Sequence, residues 1–246
     1  MNSLDQTLAN ARIVLVRTSH PGNIGASARA MKTMGLKRLV LVAPEKFPDP
    51  VADARAVGAL DLLEQAQVCE TLEQALAGTV HAVALSARRR ELSHPVRSAR
   101  ESAVELAKLA REGEVALVFG TEISGLSNAE AELCHELVTI PADPEFSSLN
   151  LGAAVQVMAY ELRVAAMAHL PGQGPREEQG ELAKFEDIEL MFRHLEETML
   201  ASGFLDPAQP KRLMPRLRRL FSRVTMEKEE VNIIRGLLKS LTPTRK

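Results

Sequence analysis

Five short, Val-rich apolar runs, separated by stretches of helical patterning, limit what this chain can fold into. They are RIVLVR (12–17), RLVLVA (38–43), HAVALSA (81–87), VALVFG (115–120) and ELVTIP (136–141). Each is too short for a helix and apolar without alternation, the pattern of a strand buried on both faces. Helical patterns lie at about 22–34, 72–77, 97–111 and 127–134, and a longer one at about 148–169. Strands alternating with helices predict an α/β fold on a mostly parallel sheet. Ser147 or Ser148 is placed to cap the long helix, and Pro171-Gly172 to end it.

PGQGPREEQGEL (171–182) has nothing to bury and reads as a linker. This divides the chain into a domain at 1–170, a linker at 171–183 and a helical extension at 184–246. In the extension Phe185, Ile188, Phe192, Leu195 and Met199 form one apolar stripe, and Gly203 fits the end of that helix. Two more helices are expected at about 211–223 and 227–240. Net charge is −2, but residues 184–246 hold 13 Lys/Arg against 9 Asp/Glu. KRLMPRLRRLFSR (211–223) has six basic residues and no acidic one. Arg212, Arg216, Arg219 and Arg223 fall on one helical face, with Leu213, Leu217 and Leu220 beside it. On charge alone this is most simply a solvated face, and Pro215 marks a place where the helix can begin.

Aromatic residues are 3% of the chain, with no Trp, which argues against a platform for stacking bases. Cys69 and Cys134 match no metal spacing and suggest reduced thiols in the cytoplasm. The six histidines are scattered, so no metal is expected. The N-terminus lacks a signal-peptide pattern, and no segment approaches the run of about 20 apolar residues that spans a bilayer. No membrane partner is expected.

Three segments carry chemistry. HPGNIGASARAMKTMG (20–35) follows the first strand, and Gly22 and Gly25 there suggest a tight turn where a ligand approaches helix amides. It is not a dinucleotide fingerprint, because the third glycine is missing and no acidic residue ends strand two. VFGTEISGLSN (118–128) leaves a strand end, where α/β sheets bind ligands. IPADPEFSSLNLGAAVQV (140–157) opens the long helix with two serines and Asn150, more than capping requires. Taken singly, each also reads as an ordinary turn, loop or cap.

In this order the three segments resemble the SpoU/TrmH-like RNA ribose methyltransferases of the SPOUT superfamily. TSHPGNIGASARAMKTMG, LVFGTEISGL and PEFSSLNL are similar to its TrmJ-type tRNA branch, as are HLEETMLASGF (194–204) and RLRRLF (216–221) in the tail. The resemblance spans essentially the whole chain. It implies a C-terminal trefoil knot, which ordinary topology rules would exclude. It also implies an S-adenosylmethionine cofactor and a homodimer with the active site near the interface. Carried over by position, Leu85, Ser86, Ala87, Gly120, Ile140, Ser147, Ser148 and Leu149 should bind the cofactor, and Arg29, Asn23, Glu122 and Asn150 should be catalytic. Arg212, Arg216, Arg218, Arg219 and Arg223 should contact RNA. Many relatives carry Arg where this chain has Thr121 or Ile123, so an RNA contact there is in doubt.

The implied reaction is methylation of a tRNA ribose 2′-oxygen, by resemblance at nucleotide 32 (cytidine or uridine) of the anticodon loop. A guanidinium keeps its proton in proteins, so Arg29 is expected to anchor phosphate and the developing alkoxide. A ribosomal-RNA 2′-O-methyltransferase is the nearest alternative. A non-catalytic RNA-binding protein on this scaffold and a nicotinamide dehydrogenase are the others.

Overall fold

Residues 3–87, 95–168, 180–209 and 211–241 are described by a computed structural model. The chain runs α1 (Ser3–Ala9), β1 (Ala11–Val16), α2 (Pro21–Met34), β2 (Arg38–Val42), α3 (Pro50–Ala56), α4 (Leu60–Glu64), β3 (Gln67–Cys69), α5 (Leu72–Leu76) and β4 (Thr79–Leu85). It continues through β5 (Val96–Ser98), α6 (Ala99–Leu109), β6 (Glu114–Phe119), α7 (Asn128–Glu132), β7 (Glu136–Thr139), α8 (Leu151–Ala168), α9 (Phe185–Ala201), α10 (Leu213–Phe221) and α11 (Lys228–Leu241). The strands form one seven-stranded sheet in the order β3-β2-β1-β6-β4-β7-β5, and every pairing is parallel.

All five expected strands are present, shifted by no more than two residues at either end. Their burial confirms the two-faced reading: every residue of β4 is buried, and all but one of β1, β2 and β6. One face packs Ile13, Leu15 and Leu117 against Ile24, Met31, Leu106 and Met158 of α2, α6 and α8. The other packs Val14, Val16, Ala84 and Val118 against α5, Leu126 and Ala131. β4 lies between β6 and β7, so the loops leaving the carboxyl ends of these three strands meet at one edge.

The start of α8 corrects an expectation. The Gly152 N–H donates to Asn150 Oδ1 at 3.0 Å, so Asn150 caps the helix, not Ser147 or Ser148. The expected stop at Pro171-Gly172 lies outside the described residues. At 18 residues α8 is long and apolar enough to cross a membrane by length and composition alone. Leu151, Val155, Met158, Ala159 and Leu162 nevertheless sit in the protein core. Glu161 pairs with Arg100, and Arg163 donates to the Met34 carbonyl at 3.0 Å.

The extension docks on the α/β body. Its own core joins Met191 and Phe192 of α9 with Val231 of α11, and Phe192 meets Phe221 edge-on at 5.8 Å. Gly203 follows α9 in the left-handed region, φ +74°, as expected. Phe185 is buried in the body's second core, and Gly78 N–H donates to Glu186 at 2.8 Å. Of the expected linker, residues 171–179 lie outside the described residues. Its end is tied down: Leu182 bridges to Glu227, and Ala183 N–H donates to the Met226 carbonyl at 2.9 Å.

Candidate active site

The loops that follow β4, β6 and β7, with the starts of α2 and α8, enclose a cleft of about 410 Å³. That is within the range of small-molecule sites, roughly 300–1,000 Å³. All eight residues expected to bind cofactor line it: Leu85, Ser86, Ala87, Gly120, Ile140, Ser147, Ser148 and Leu149. So do Asn23, Glu122 and Asn150.

These last three form a chain of hydrogen bonds. Asn150 Nδ2 donates to Asn23 Oδ1 at 2.9 Å, and Asn23 Nδ2 donates to Glu122 Oε1 at 2.8 Å. Glu122 accepts three more, from Ser19 N–H at 3.1 Å, Ser19 Oγ at 3.0 Å and His20 N–H at 3.2 Å. The three sequence motifs are thus joined through side chains 99 and 127 residues apart. Burial pushes the Glu122 carboxyl up, but hydrogen bonds from Asn23 and the Ser19 and His20 backbone outweigh it. The group therefore ionises below the ordinary carboxylate range. Near neutrality Glu122 is an acceptor with its lone pairs engaged, a framing role and a poor base.

Close packing shapes the walls. A Cβ on Gly120 would lie 2.1 Å from Gly125 C and Leu126 N, so only glycine lets this loop fold back on itself. The loop is closed by Gly125 N–H donating to Thr121 O at 2.9 Å and by Ser124 N–H donating to Thr121 Oγ1 at 3.1 Å. Gly25 corrects its expected role. A Cβ there would lie 2.1 Å from the Ala52 carbonyl oxygen, so Gly25 lets α2 pack on α3 and does not face a ligand. At the front of the α2 turn, His20 Nδ1 accepts from Gly22 N–H at 3.1 Å and caps the helix.

Arg29 lies elsewhere. It is exposed on α2, outside the lining of the cleft. In the extension Arg212, Arg216, Arg219 and Arg223 are exposed, but α10 spans only Leu213–Phe221, so Arg212 precedes the helix, Arg223 follows it, and Arg216 and Arg219 alone share its face. Arg218 turns inward: its Nη2 donates to Glu189 at 2.9 Å, and its guanidinium lies 4.5 Å from the Phe192 ring centroid. That makes it a brace of the extension. No metal-binding cluster of His, Cys, Asp and Glu is found among the described residues.

Sequence reasoning missed the Ser19 and His20 backbone donors, which carry no residue-type signal. It also missed Phe146, which is 82% exposed beside the lining residues Ser147 and Ser148, and Ile123 in the lining is 86% exposed.

Comparison with known proteins places this geometry. Residues 10–160 match the model of the SpoU rRNA Methylase family, and residues 186–246 match that of the tRNA methyltransferase TrmJ, C-terminal domain. The chain is 50% identical over 240 residues to the tRNA (cytidine/uridine/adenosine-2'-O-)-methyltransferase TrmJ of Pseudomonas aeruginosa, covering 94% of this chain and 93% of that one. It is 48% identical to the tRNA (cytidine/uridine-2'-O-)-methyltransferase TrmJ of Pectobacterium atrosepticum, covering 96% and 98%. The crystal structure of TrmJ from Z. mobilis superposes with a TM-score of 0.81 at 34% identity, covering 95% of this chain and 99% of that one. With its α/β body matched from Asn10 to Tyr160 and its extension matched as well, the chain belongs to the SpoU methylase family.

Proposed function

We propose that this chain is an S-adenosylmethionine-dependent tRNA 2′-O-ribose methyltransferase acting on nucleotide 32, a cytidine or uridine, of the anticodon loop. One observation carries the reading: a single cleft gathers all eight expected cofactor residues, with the Asn150–Asn23–Glu122 chain in its wall. Leu85, Ile140 and Leu149 offer apolar surface for an adenine ring, and Ser86, Ser147 and Ser148 offer hydroxyls. Among the described residues Glu122 is the one ionisable side chain in the lining, and its negative charge suits a cationic sulfonium.

When bound, S-adenosylmethionine supplies an electrophilic methyl group on positive sulfur. The chain's own contribution is to align the ribose oxygen with that group, because alignment supplies most of the rate in an in-line displacement. Asn23 and Asn150, fixed by their mutual hydrogen bond, hold the sugar side of the cleft. The 2′-hydroxyl proton needs an acceptor other than Glu122, whose oxygens already accept four hydrogen bonds. The RNA's own phosphate fills that role. The trefoil knot implied by the resemblance belongs to the C-terminal end of the α/β body.

Arg29 lies outside its own chain's cleft, and an anchoring role there fits a site completed by a second copy. The homodimer reading is supported by Tyr160, Val164 and Met167, an apolar stripe left exposed on α8. Arg29→Ala is expected to keep fold and cofactor affinity but to lower methyl transfer at least about tenfold, roughly 1.4 kcal/mol in the barrier. Unchanged turnover would remove Arg29 from the mechanism.

The extension favours tRNA over ribosomal RNA, through its match to a tRNA methyltransferase domain and the exposed Arg212, Arg216, Arg219 and Arg223. We assign the enzyme to the cytoplasm, consistent with two buried, unpaired cysteines. Incubation with labelled S-adenosylmethionine and total cellular RNA, followed by mapping of the label, tests the whole reading. Label on ribose 32 of tRNA is expected. Label confined to ribosomal RNA, or none, would overturn it.

A further inference from the structure

The cap of α2 is an unusual one. His20 Nδ1 accepts the Gly22 N–H, and a ring nitrogen that accepts carries no proton, so the imidazole proton is on Nε2. The residue is exposed, and this second N–H has no partner among the described residues. Imidazole is not among the preferred caps, and serine would serve the helix at least as well. Capping alone therefore does not account for a histidine here.

Gly22 makes room for the ring, since a Cβ there would lie 2.9 Å from both His20 Nδ1 and Cε1. The same point lies 3.5 Å from Arg55 Cγ, and a Cβ on Gly25 would lie 2.9 Å from Arg55 Cβ. The Arg55 side chain of α3 thus runs along α2 from Gly25 toward Gly22 and the His20 ring. Arg55 is exposed and forms no ion pair among the described residues. The two glycines of the turn, which looked like ligand glycines, bring these two side chains together.

Both stand next to the reacting centre. Glu122 Oε1 accepts the His20 main-chain N–H at 3.2 Å and Asn23 Nδ2 at 2.8 Å. It therefore fixes the backbone under the imidazole and leaves the ring donor free. Asn23 lines the cleft where the ribose is held, and a ribose in RNA carries phosphodiesters on its 3′ and 5′ oxygens. A guanidinium fork and an N–H donor match phosphate oxygens.

We infer that Arg55 and the His20 ring grip one phosphodiester flanking the reacting ribose, as positioning residues for the transfer. The choice of RNA rests on the function proposed above. This grip belongs to the catalytic body and acts on one defined phosphate. It fixes the sugar relative to the methyl donor, where alignment sets the rate.

The test uses the full-length protein and full-length tRNA assembled by ligation, with a neutral methylphosphonate on the 5′ or the 3′ side of the target nucleotide. R55Q is expected to raise KM for unmodified tRNA about tenfold, the scale of one charged hydrogen bond, with kcat and cofactor affinity within about twofold of the parent. R55K should recover part of the loss. His20→Ser keeps a cap but lacks the reach of the ring, and should raise KM about threefold without lowering the melting temperature. One of the two methylphosphonates should weaken the parent about tenfold and R55Q less than about twofold, since one contact cannot be lost twice. An R55Q penalty equal on all three tRNAs would overturn the grip and leave Arg55 as open surface charge. Parent-like KM in His20→Ser would overturn the part given to the ring. Parent protein that methylates a ribose other than 32 would overturn the position proposed above, and methylphosphonates flanking that ribose then decide the grip. A parent that methylates no RNA would overturn both readings.

Discussion

Gly120→Ala will lose cofactor binding while keeping most of its fold. The new methyl would sit 2.1 Å from the backbone of Gly125 and Leu126, and both neighbours are main-chain atoms with no rotamer to adopt. The loop must open, breaking the paired bonds between Thr121 and Gly125. Overpacking of this kind costs about 1–3 kcal/mol. Because the same loop forms one wall of the cleft, much of that cost falls on the site. Affinity for S-adenosylmethionine is expected to drop at least about tenfold, equivalent to 1.4 kcal/mol. Calorimetry beside thermal melting separates the two effects, and parent-like affinity would show that the loop does not shape the cofactor site.

Glu122→Ala is expected to lower methyl transfer by about a hundredfold, near 2.7 kcal/mol. Its four accepted hydrogen bonds hold Ser19, His20 and Asn23 in place. Hydrogen bonds to charged groups contribute about 1.5–3 kcal/mol each, and water can restore part of them in a partly open site. Freed from Glu122, Asn23 loses the orientation that it passes to Asn150. Glu122→Gln keeps an acceptor but sets an amide N–H against other donors, so it should fall between parent and alanine. Since the folded carboxyl ionises below its ordinary range, its contribution to stability is fully present above that range and fades as pH falls through the folded pKa. The urea midpoints of parent and Glu122→Gln should therefore converge in acid. A gap that widens there, or alanine-variant turnover within twofold of the parent, would refute the framing role.

Much of this architecture was legible because the strands are buried on both sides. Val-rich runs such as 12–17 and 115–120 announce themselves without alternation, and their ends were read to within two residues. β3 and β5 were missed because three residues carry no period. α1, α3 and α4 were missed too, although the equally short α5 and α7 were read; those two open on capping boxes at Thr71 and Ser127, which α3 and α4 lack. In the run Ser147-Ser148-Leu149-Asn150, three side chains can cap a helix, and only the three-dimensional path selects Asn150. Gly25 looked like a ligand glycine because its constraint comes from Ala52, which is remote in the reading of a turn. The docking of Phe185 and the inward turn of Arg218 depend on contacts that local sequence does not encode.

Asn150 holds two posts at once, as the cap of α8 through its carbonyl oxygen and as the donor to Asn23 through its amide. Aspartate there would keep the cap and lose the donor, while serine would keep a cap without the reach. Divergence among descendants of this chain is therefore closed at position 150, because each step away damages scaffold or site. It remains open at the rim, where Ile123 and Phe146 stand in solvent. New RNA preferences should accordingly arise by drift at the rim, over an inherited frame that stays unchanged.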